Sequence, residues 1–378
     1  MSDNIRPVIR VVYTHFPHYR QPVFDALSRS TRYTFKFHYD PVGITKTIAS
    51  GTGNRANHYS LKTRVLGPLQ WQIGAVSLAL AGRSDAFIFL GNPFIVSTWI
   101  AALIAKARGK AVFFWTHGWV RDEVGAKDWL RRTFYGLADA LMLYADRAKQ
   151  LALKRGLDER ALYVIGNSLD YAAQAATRHT LLAGSAWPVH KRPEKPFFLV
   201  VSRLVPSARI DLAIAALAQT QHDAALVVIG EGPERAALEA QAKTCGADVH
   251  FTGALYSEED LAPYFLDCLA VVSPGKVGLL AMHALAYGAL VITHGDPDRQ
   301  MPEFEAIEDG VTGILFNLDE ESDLGEKIAS LLANPPNDDQ VTQRRARAIA
   351  TIEEGYTPES QVERIEAALI AHGVGEDV

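Results

Sequence analysis

Short apolar runs punctuate the chain, and each hands over to a turn and then to a stretch with helical spacing. In the first half they are VIRVVY from Val8, YTFKFHY from Tyr33, AFIFL from Ala86, AVFFW from Ala111 and ALMLY from Ala140. In the second half they are FFLVVS from Phe197, LVVIG from Leu226, VHFTG from Val249, VVSPG from Val271 and LVITH from Leu290. Most of these runs lack polar alternation, so they read as strands covered on both faces. Strands that repeatedly give way to helices imply parallel sheets with ligand loops at the strand ends.

A length of 378 residues suggests two domains. The pattern places the first at residues 1–170, closed by LYVIGNSLD, and a connector at 171–196 with Pro188, Pro193 and Pro196. A second domain covers 197–353, and a helix runs from Glu354 to His372 within a tail of 354–378. Residues 41–60 are polar and rich in Gly, Thr and Asn, which predicts a mobile loop. The uncharged run Ala86 to Ala105 is nominally long enough to span a bilayer. Gly91, Asn92 and Pro93 cut it instead into a buried strand and a helix.

Charge changes this picture more than composition does. Residues 1–170 hold 23 Lys/Arg against 12 Asp/Glu, whereas 171–378 hold 15 against 31, so balances of +11 and −16 recover the net −5. The basic half suggests an anionic partner: nucleic acid on charge alone, the inner face of a membrane, or a lipid-linked diphosphate. A solvated basic surface is the plainer alternative. Two cysteines, Cys245 and Cys268, allow no disulfide framework beyond one pair, and the charged N-terminus leads straight into a strand. Both point to a reducing cytoplasm. No Cys/His pair has metal-ligand spacing, and Asp296-Pro297-Asp298 reads as a turn.

From Phe197 to Phe316 the blocks FFLVVSRLVP, LVVIGEGPERAAL, VHFTGALYSEEDLAPYF, VVSPGKVGLLAMHALAYGALVITH and EFEAIEDGVTGILF follow in order. In that order they resemble the donor domain of glycosyltransferase family four. The resemblance implies a GT-B fold, two Rossmann-like domains with parallel sheets facing across a cleft, and a C-terminal helix crossing back to the first domain. It implies a retaining, metal-independent transferase with no cofactor beyond a nucleoside diphosphate sugar as co-substrate. Arg203 occupies the family's Gly-Arg-Leu position, with Ser202 for the Gly, and is expected on the diphosphate. The family Lys five residues later is Ala208, and Arg209 is expected to replace its charge. The two family Glu residues become Gly275 and His283. The N–H groups of Gly278, Leu279 and Leu280 remain as candidates for phosphate or sugar oxygens. His283 is a candidate for a ribose hydroxyl or a packed core residue, and Lys276 for phosphate, an acidic sugar or solvent. Gly230 and Glu231 of GEGP, and Gly253 of FTGAL near the nucleobase, complete the donor set, and Glu303 matches the family's Pro-Glu.

On the acceptor side, His117 follows the strand AVFFW, where the family often has a His facing the donor sugar. The family's Gly-rich loop after the first strand is absent. His15, His18, Tyr19 and Arg20 form a polar rim there as candidate acceptor contacts. The segment 119–135 mixes Trp119, Trp129, Phe134 and Tyr135 with Arg121, Lys127, Arg131 and Arg132, which suits a membrane interface or an ordinary amphipathic helix. Taken together, these residues predict a cytoplasmic, membrane-peripheral glycosyltransferase acting on a glycan or lipid-linked glycan in cell-surface polysaccharide or lipopolysaccharide synthesis. His117, Arg203 and Lys276 would carry the chemistry, with no metal and no nucleic acid. Two alternatives stand beside it: a non-catalytic glycan- or nucleotide-binding relative, and a nucleotide-sugar epimerase of the same fold.

Overall fold

The computed structural model describes residues 6–42, 56–184, 193–220, 222–320 and 322–375. The chain divides into two compact units, residues up to Leu169 together with Pro358 onward, and Asp170–Thr357.

Unit 1 runs β1 (Val8–His15), α1 (Gln21–Ser28), β2 (Thr34–Asp40), β3 (His58–Ser60), β4 (Lys62–Leu66), β5 (Leu69–Ile73), α2 (Ala75–Ala81), β6 (Ala86–Leu90), α3 (Val96–Ala107), β7 (Ala111–Thr116), α4 (Ala126–Tyr135), β8 (Ala140–Leu143), α5 (Asp146–Lys154) and β9 (Leu162–Val164). Its seven-stranded sheet has the order β3-β2-β1-β6-β7-β8-β9, and the pairings within it are parallel. Alternate residues feed two cores. Ile9, Val11, Phe37, Ile88, Phe113 and Trp115 pack on one face. Val12, Phe87, Phe89, Val112 and Phe114 pack on the other. This two-sided burial is why the strands read as unbroken apolar runs.

Unit 2 runs α6 (Tyr171–Leu182), β10 (Phe197–Val201), α7 (Ile210–Gln219), β11 (Ala225–Ile229), α8 (Arg235–Cys245), β12 (Val249–Gly253), α9 (Glu258–Asp267), β13 (Ala270–Ser273), α10 (Leu280–Ala286), β14 (Val291–His294), β15 (Gly313–Phe316), α11 (Asp323–Ala333) and α12 (Asp338–Gly355). Its six-stranded sheet has the order β12-β11-β10-β13-β14-β15, again with parallel pairings. In each sheet the winding reverses once, between β1 and β6 and between β10 and β13. In such sheets, ligands bind outside the carboxyl ends of the strands at that reversal.

Three expectations change. The 171–196 connector begins as a helix, α6, capped by Asp170, whose side chain accepts the Ala173 N–H at 3.1 Å. Arg178 of α6 donates to the Ala286 carbonyl, so the helix belongs to unit 2. The helix expected over Glu354–His372 is two helices, because α12 stops at Gly355 and α13 (Pro358–Ala371) opens on a proline. Proline suits a first helical turn but not an interior. From Pro358 the chain is back in unit 1, where Gln361 Nε2 donates to the Gly166 carbonyl at 2.7 Å and Tyr33 Oη to the Val374 carbonyl at 2.9 Å. Of the polar segment 41–60, residues 43–55 lie outside the described residues, and His58–Ser60 add an edge strand beside β2. No helix among the described residues is long and apolar enough to cross a membrane.

Candidate active site

In unit 2 the predicted donor residues gather at the carboxyl ends of β10, β11, β12 and β13. Arg203 follows β10 and Lys276 follows β13, on either side of the reversal, and both are exposed. Neither side chain has a hydrogen-bond or ion-pair partner among the described residues. The glycines around them are dictated by close approach. A Cβ on Gly230 would lie 1.8 Å from the Ser202 carbonyl oxygen, and one on Gly232 would lie 2.2 Å from that of Leu204. The loop after β11 is thus pressed against the Arg203 turn, and the Gly230 N–H donates to the Gly253 carbonyl at 2.9 Å. Gly-x-Gly here is a packing requirement between strand ends, which only a residue without a Cβ can meet.

The loop after β13 is held from behind. Buried Gln300 accepts the Val277 N–H at 3.0 Å and donates to Thr293 Oγ1 at 2.9 Å and the His294 carbonyl at 3.0 Å. The N–H groups of Gly278 and Leu279 have no acceptor among the described residues. The Leu280 N–H is already bonded to the Val277 carbonyl at 3.2 Å, so it leaves the expected set. Gly275 donates to the Ala208 carbonyl at 3.2 Å, and a Cβ on it would lie 2.3 Å from the Ser207 oxygen. Two of the substituted positions, Ala208 and Gly275, are therefore neighbours, and the Pro206–Ala208 turn fills the space that a side chain at 275 would need.

Three candidates are engaged elsewhere. Arg209 pairs with Asp211 at 3.2 Å and is the one non-glycine residue with positive φ, 51°, among those described. It lines a cavity of about 420 Å³ with Val205, Asp211, Glu234 and Gln241, so its charge is already partly countered. Glu231 pairs with Arg235 at 2.7 Å. Arg235 in turn lies over the Phe251 ring at 5.7 Å, a cation beside the segment expected near the nucleobase and one that the sequence did not point to. His283 bonds through Nε2 to Glu258 Oε2 at 3.0 Å and lies 4.5 Å from the Phe265 ring. Tyr287 Oη donates to the same carboxylate oxygen at 2.6 Å. Burial works against the charge on Glu258, but hydrogen bonds from His283, Tyr287 and Gln174 hold its carboxyl below the usual range. Burial and Glu258 raise the Tyr287 phenol above its ordinary value, so it stays a donor. Glu258 was also missed: it opens α9 within SEEDLAPYF, where the acids Glu258, Glu259 and Asp260 together read only as a helix start. Glu303 sits buried in the Pro302–Ala306 turn.

In unit 1 the predicted acceptor residues meet at the ends of β1, β7 and β8. Arg20 is only 6% exposed, and its guanidinium lies 5.0 Å from the Tyr144 ring and 5.5 Å from that of Trp115. Contacts of this kind attract a cation to the faces of aromatic rings. His117 lies 4.6 Å from the Tyr144 ring, and its Nδ1 is buried without a hydrogen bond. Burial first, and then the Arg20 charge, push its pKa down to about 4. The same causes lower that of His15, whose Nε2 is also buried and unbonded. Both rings are neutral at pH 7, and each then has one donor and one acceptor nitrogen. His18 and Tyr19 lie beside them in the His18–Arg20 turn, their rings 5.7 Å apart. Together these groups can bind hydroxyl and anionic oxygens around a fixed positive charge.

In the segment 119–135, α4 is an amphipathic helix that turns most of its aromatics inward. Trp119 is buried, donates through Nε1 to Asp128 at 2.7 Å and lies under Arg155 at 5.0 Å. Phe134 and Tyr135 are buried too, and of the four aromatics only Trp129, 66% exposed, faces out.

The strand-end arrangement in unit 2 coincides with a match to known proteins. Residues 186–349 match the family model of the glycosyl transferases group 1. No curated protein matches the chain. Among solved structures it resembles the apo lipopolysaccharide outer core galactosyltransferase WaaB, at 15% identity over 97% of this chain and 99% of that one, with TM-score 0.71. It resembles Anabaena Alr3699/HepE in complex with UDP at 15% identity over 97% and 100%, with TM-score 0.70. A UDP-N-acetylglucosamine 2-epimerase matches at 14% over 98% of both chains, with TM-score 0.60. These likenesses show the fold: two Rossmann-like α/β units of the GT-B type, the second carrying the group 1 transferase segment.

Proposed function

We propose that the protein is a retaining glycosyltransferase that moves a sugar from a nucleoside diphosphate sugar to a hydroxyl of a glycan or lipid-linked glycan. The observation that carries this reading lies within the group 1 segment, where Arg203 and Lys276 flank the sheet reversal, exposed and without an acidic partner. Two cations and the N–H groups of Gly278 and Leu279 at one crevice suit a diphosphate. The solved neighbours include an enzyme of lipopolysaccharide synthesis and a protein in complex with UDP, which favours a uridine nucleotide and a cell-surface glycan.

In this reading the acceptor oxygen attacks the anomeric carbon and the bond from that carbon to the β-phosphate oxygen breaks. The acceptor proton passes to the departing phosphate oxygen on the same face, and the nucleoside diphosphate leaves. No protein nucleophile and no metal is required. Arg203 and Lys276 stabilise charge that grows on the leaving group, which is electrostatic preorganisation. His117, His15 and Arg20 bind the acceptor in unit 1. The reading extends to a protein held at the anionic inner face of a membrane by its basic half.

Incubation with UDP-sugars and candidate acceptors, with and without EDTA, tests it. Sugar transfer that survives chelation is expected. Arg203→Ala should weaken nucleotide binding by about 1.5–3 kcal/mol, the scale of a charged hydrogen bond. The epimerase neighbour supports a second reading, and conversion of a UDP-sugar with no acceptor present would establish it instead.

A further inference from the structure

The β4–β5 hairpin carries its polarity inside out. Residues opposite one another in an antiparallel pair share a face. The register pairs Lys62 with Ile73, Arg64 with Trp71 and Leu66 with Leu69, while Thr63 opposes Gln72 and Val65 opposes Gln70. The second set is mostly polar, and Thr63, Gln70 and Gln72 of it face the protein, while Val65 near the turn is 50% exposed. Gln72 is buried, with Nε2 donating to the Tyr13 carbonyl at 2.5 Å and its N–H to Ser97 Oγ at 2.9 Å. The Thr63 N–H donates to Asp40 at 2.7 Å. The first set is the open one: Leu66 is 81% exposed, Leu69 45%, Trp71 40% and Ile73 41%. Phe94, whose carbonyl accepts the Gln70 N–H at 2.8 Å, is exposed beside it. So are Ile100 and Leu103, one turn apart on α3.

We propose that this hairpin docks, turn end first, on an anionic lipid bilayer. Lys62 and Arg64 are its charged residues, and no Asp or Glu occurs between Asp40 and Asp85. At about 3.4 Å per residue, Arg64 stands roughly 7 Å behind Leu66, and Lys62 as far again. Amphipathic elements bury their apolar face about 5–10 Å into the boundary of headgroups and acyl chains. With Leu66 and Leu69 at that depth, Arg64 and Trp71 lie at the headgroups, where arginine and tryptophan are both favoured. A second copy of the chain fits less well, since like cations would meet without a carboxylate on either side. The proposal deepens the membrane part of the reading above and moves the apolar contact from α4 to the hairpin.

Co-sedimentation with vesicles of phosphatidylcholine alone, or with about a third phosphatidylglycerol, at about 0.05 M and 0.5 M salt tests it. The wild type should bind the anionic vesicles and lose much of that binding at the higher salt. Leu66→Ser with Leu69→Ser should lower bound protein about fivefold or more at low salt, and Lys62→Glu with Arg64→Glu should abolish the preference for anionic vesicles. A UDP-induced thermal shift equal to wild type shows that each variant is folded. Arg131→Glu with Arg132→Glu on α4 should leave most of the binding intact. Loss of binding in that variant, with hairpin variants unaffected, overturns the hairpin assignment but keeps the membrane reading. No binding by the wild type overturns both. A dimer that the leucine variants dissociate, seen by light scattering, makes the face an interface between copies and also overturns the proposal.

Discussion

Glu258 offers the sharpest test of how unit 2 is built. Its Oε2 accepts hydrogen bonds from Tyr287 Oη at 2.6 Å and His283 Nε2 at 3.0 Å, joining α9 to α10 below the loop that carries Lys276. Glu258→Ala removes these two bonds, along with the one from Gln174, and leaves their donors in a half-buried site. A hydrogen bond to a charged group is worth about 1.5–3 kcal/mol. The Glu258 side chain keeps 27% of its surface in solvent, so the low end applies to each of the His283 and Tyr287 bonds and the loss from these two is about 3 kcal/mol. For a unit of this size that lowers Tm by about 5–10 °C, readable by differential scanning fluorimetry. Glu258→Gln keeps an acceptor for Tyr287 but loses the charge, and about half the effect is expected. The pH dependence has a definite sign. The folded carboxyl titrates below its ordinary 4.5, so its contribution is complete above that value and is lost as pH falls through the lowered one. The gap between wild type and Glu258→Gln should therefore be widest near neutrality and close in acid. A gap that persists unchanged in acid, or a fall in Tm below about 2 °C for Glu258→Ala, would refute the network as a structural tie.

Further outcomes follow from the other sites. His117 is held neutral with a pKa of about 4 against an ordinary 6.5, so it contributes stability above 6.5 that falls away as pH drops toward 4. His117→Gln should flatten part of that acid loss in urea titrations; His15, His38 and His294, also lowered, contribute further parts. Arg209 sits at φ 51°, so Arg209→Gly should be more stable than Arg209→Ala by about 1 kcal/mol, measured by chemical denaturation. Gly230→Ala would place a Cβ 1.8 Å from the Ser202 oxygen. It should cost about 1–3 kcal/mol and weaken nucleotide binding with it, since the Arg203 turn must move.

The sequence by itself determined the layered architecture and the strand ends where the candidate site lies. Runs such as AVFFW and FFLVVS are apolar on both faces because helices cover both sides of a parallel sheet, and that requirement is local enough to read directly. A motif residue at a strand end, such as Arg203 or His117, inherits its place from the strand before it. What the tertiary structure decided is where side chains found partners. His283 was free to take a ribose on paper, and α9 brings Glu258 to it from 25 residues away. Gly275 looked like a lost carboxylate, and the Pro206–Ala208 turn shows that its space is filled. The hairpin was invisible because its uncharged polar residues Thr63, Gln70 and Gln72 face in while Leu66, Leu69, Trp71 and Ile73 face out beside Lys62 and Arg64, against the rule by which strands are recognised. Spacing along a chain encodes periodicity, whereas the partner of a side chain depends on contacts between segments that only folding brings together.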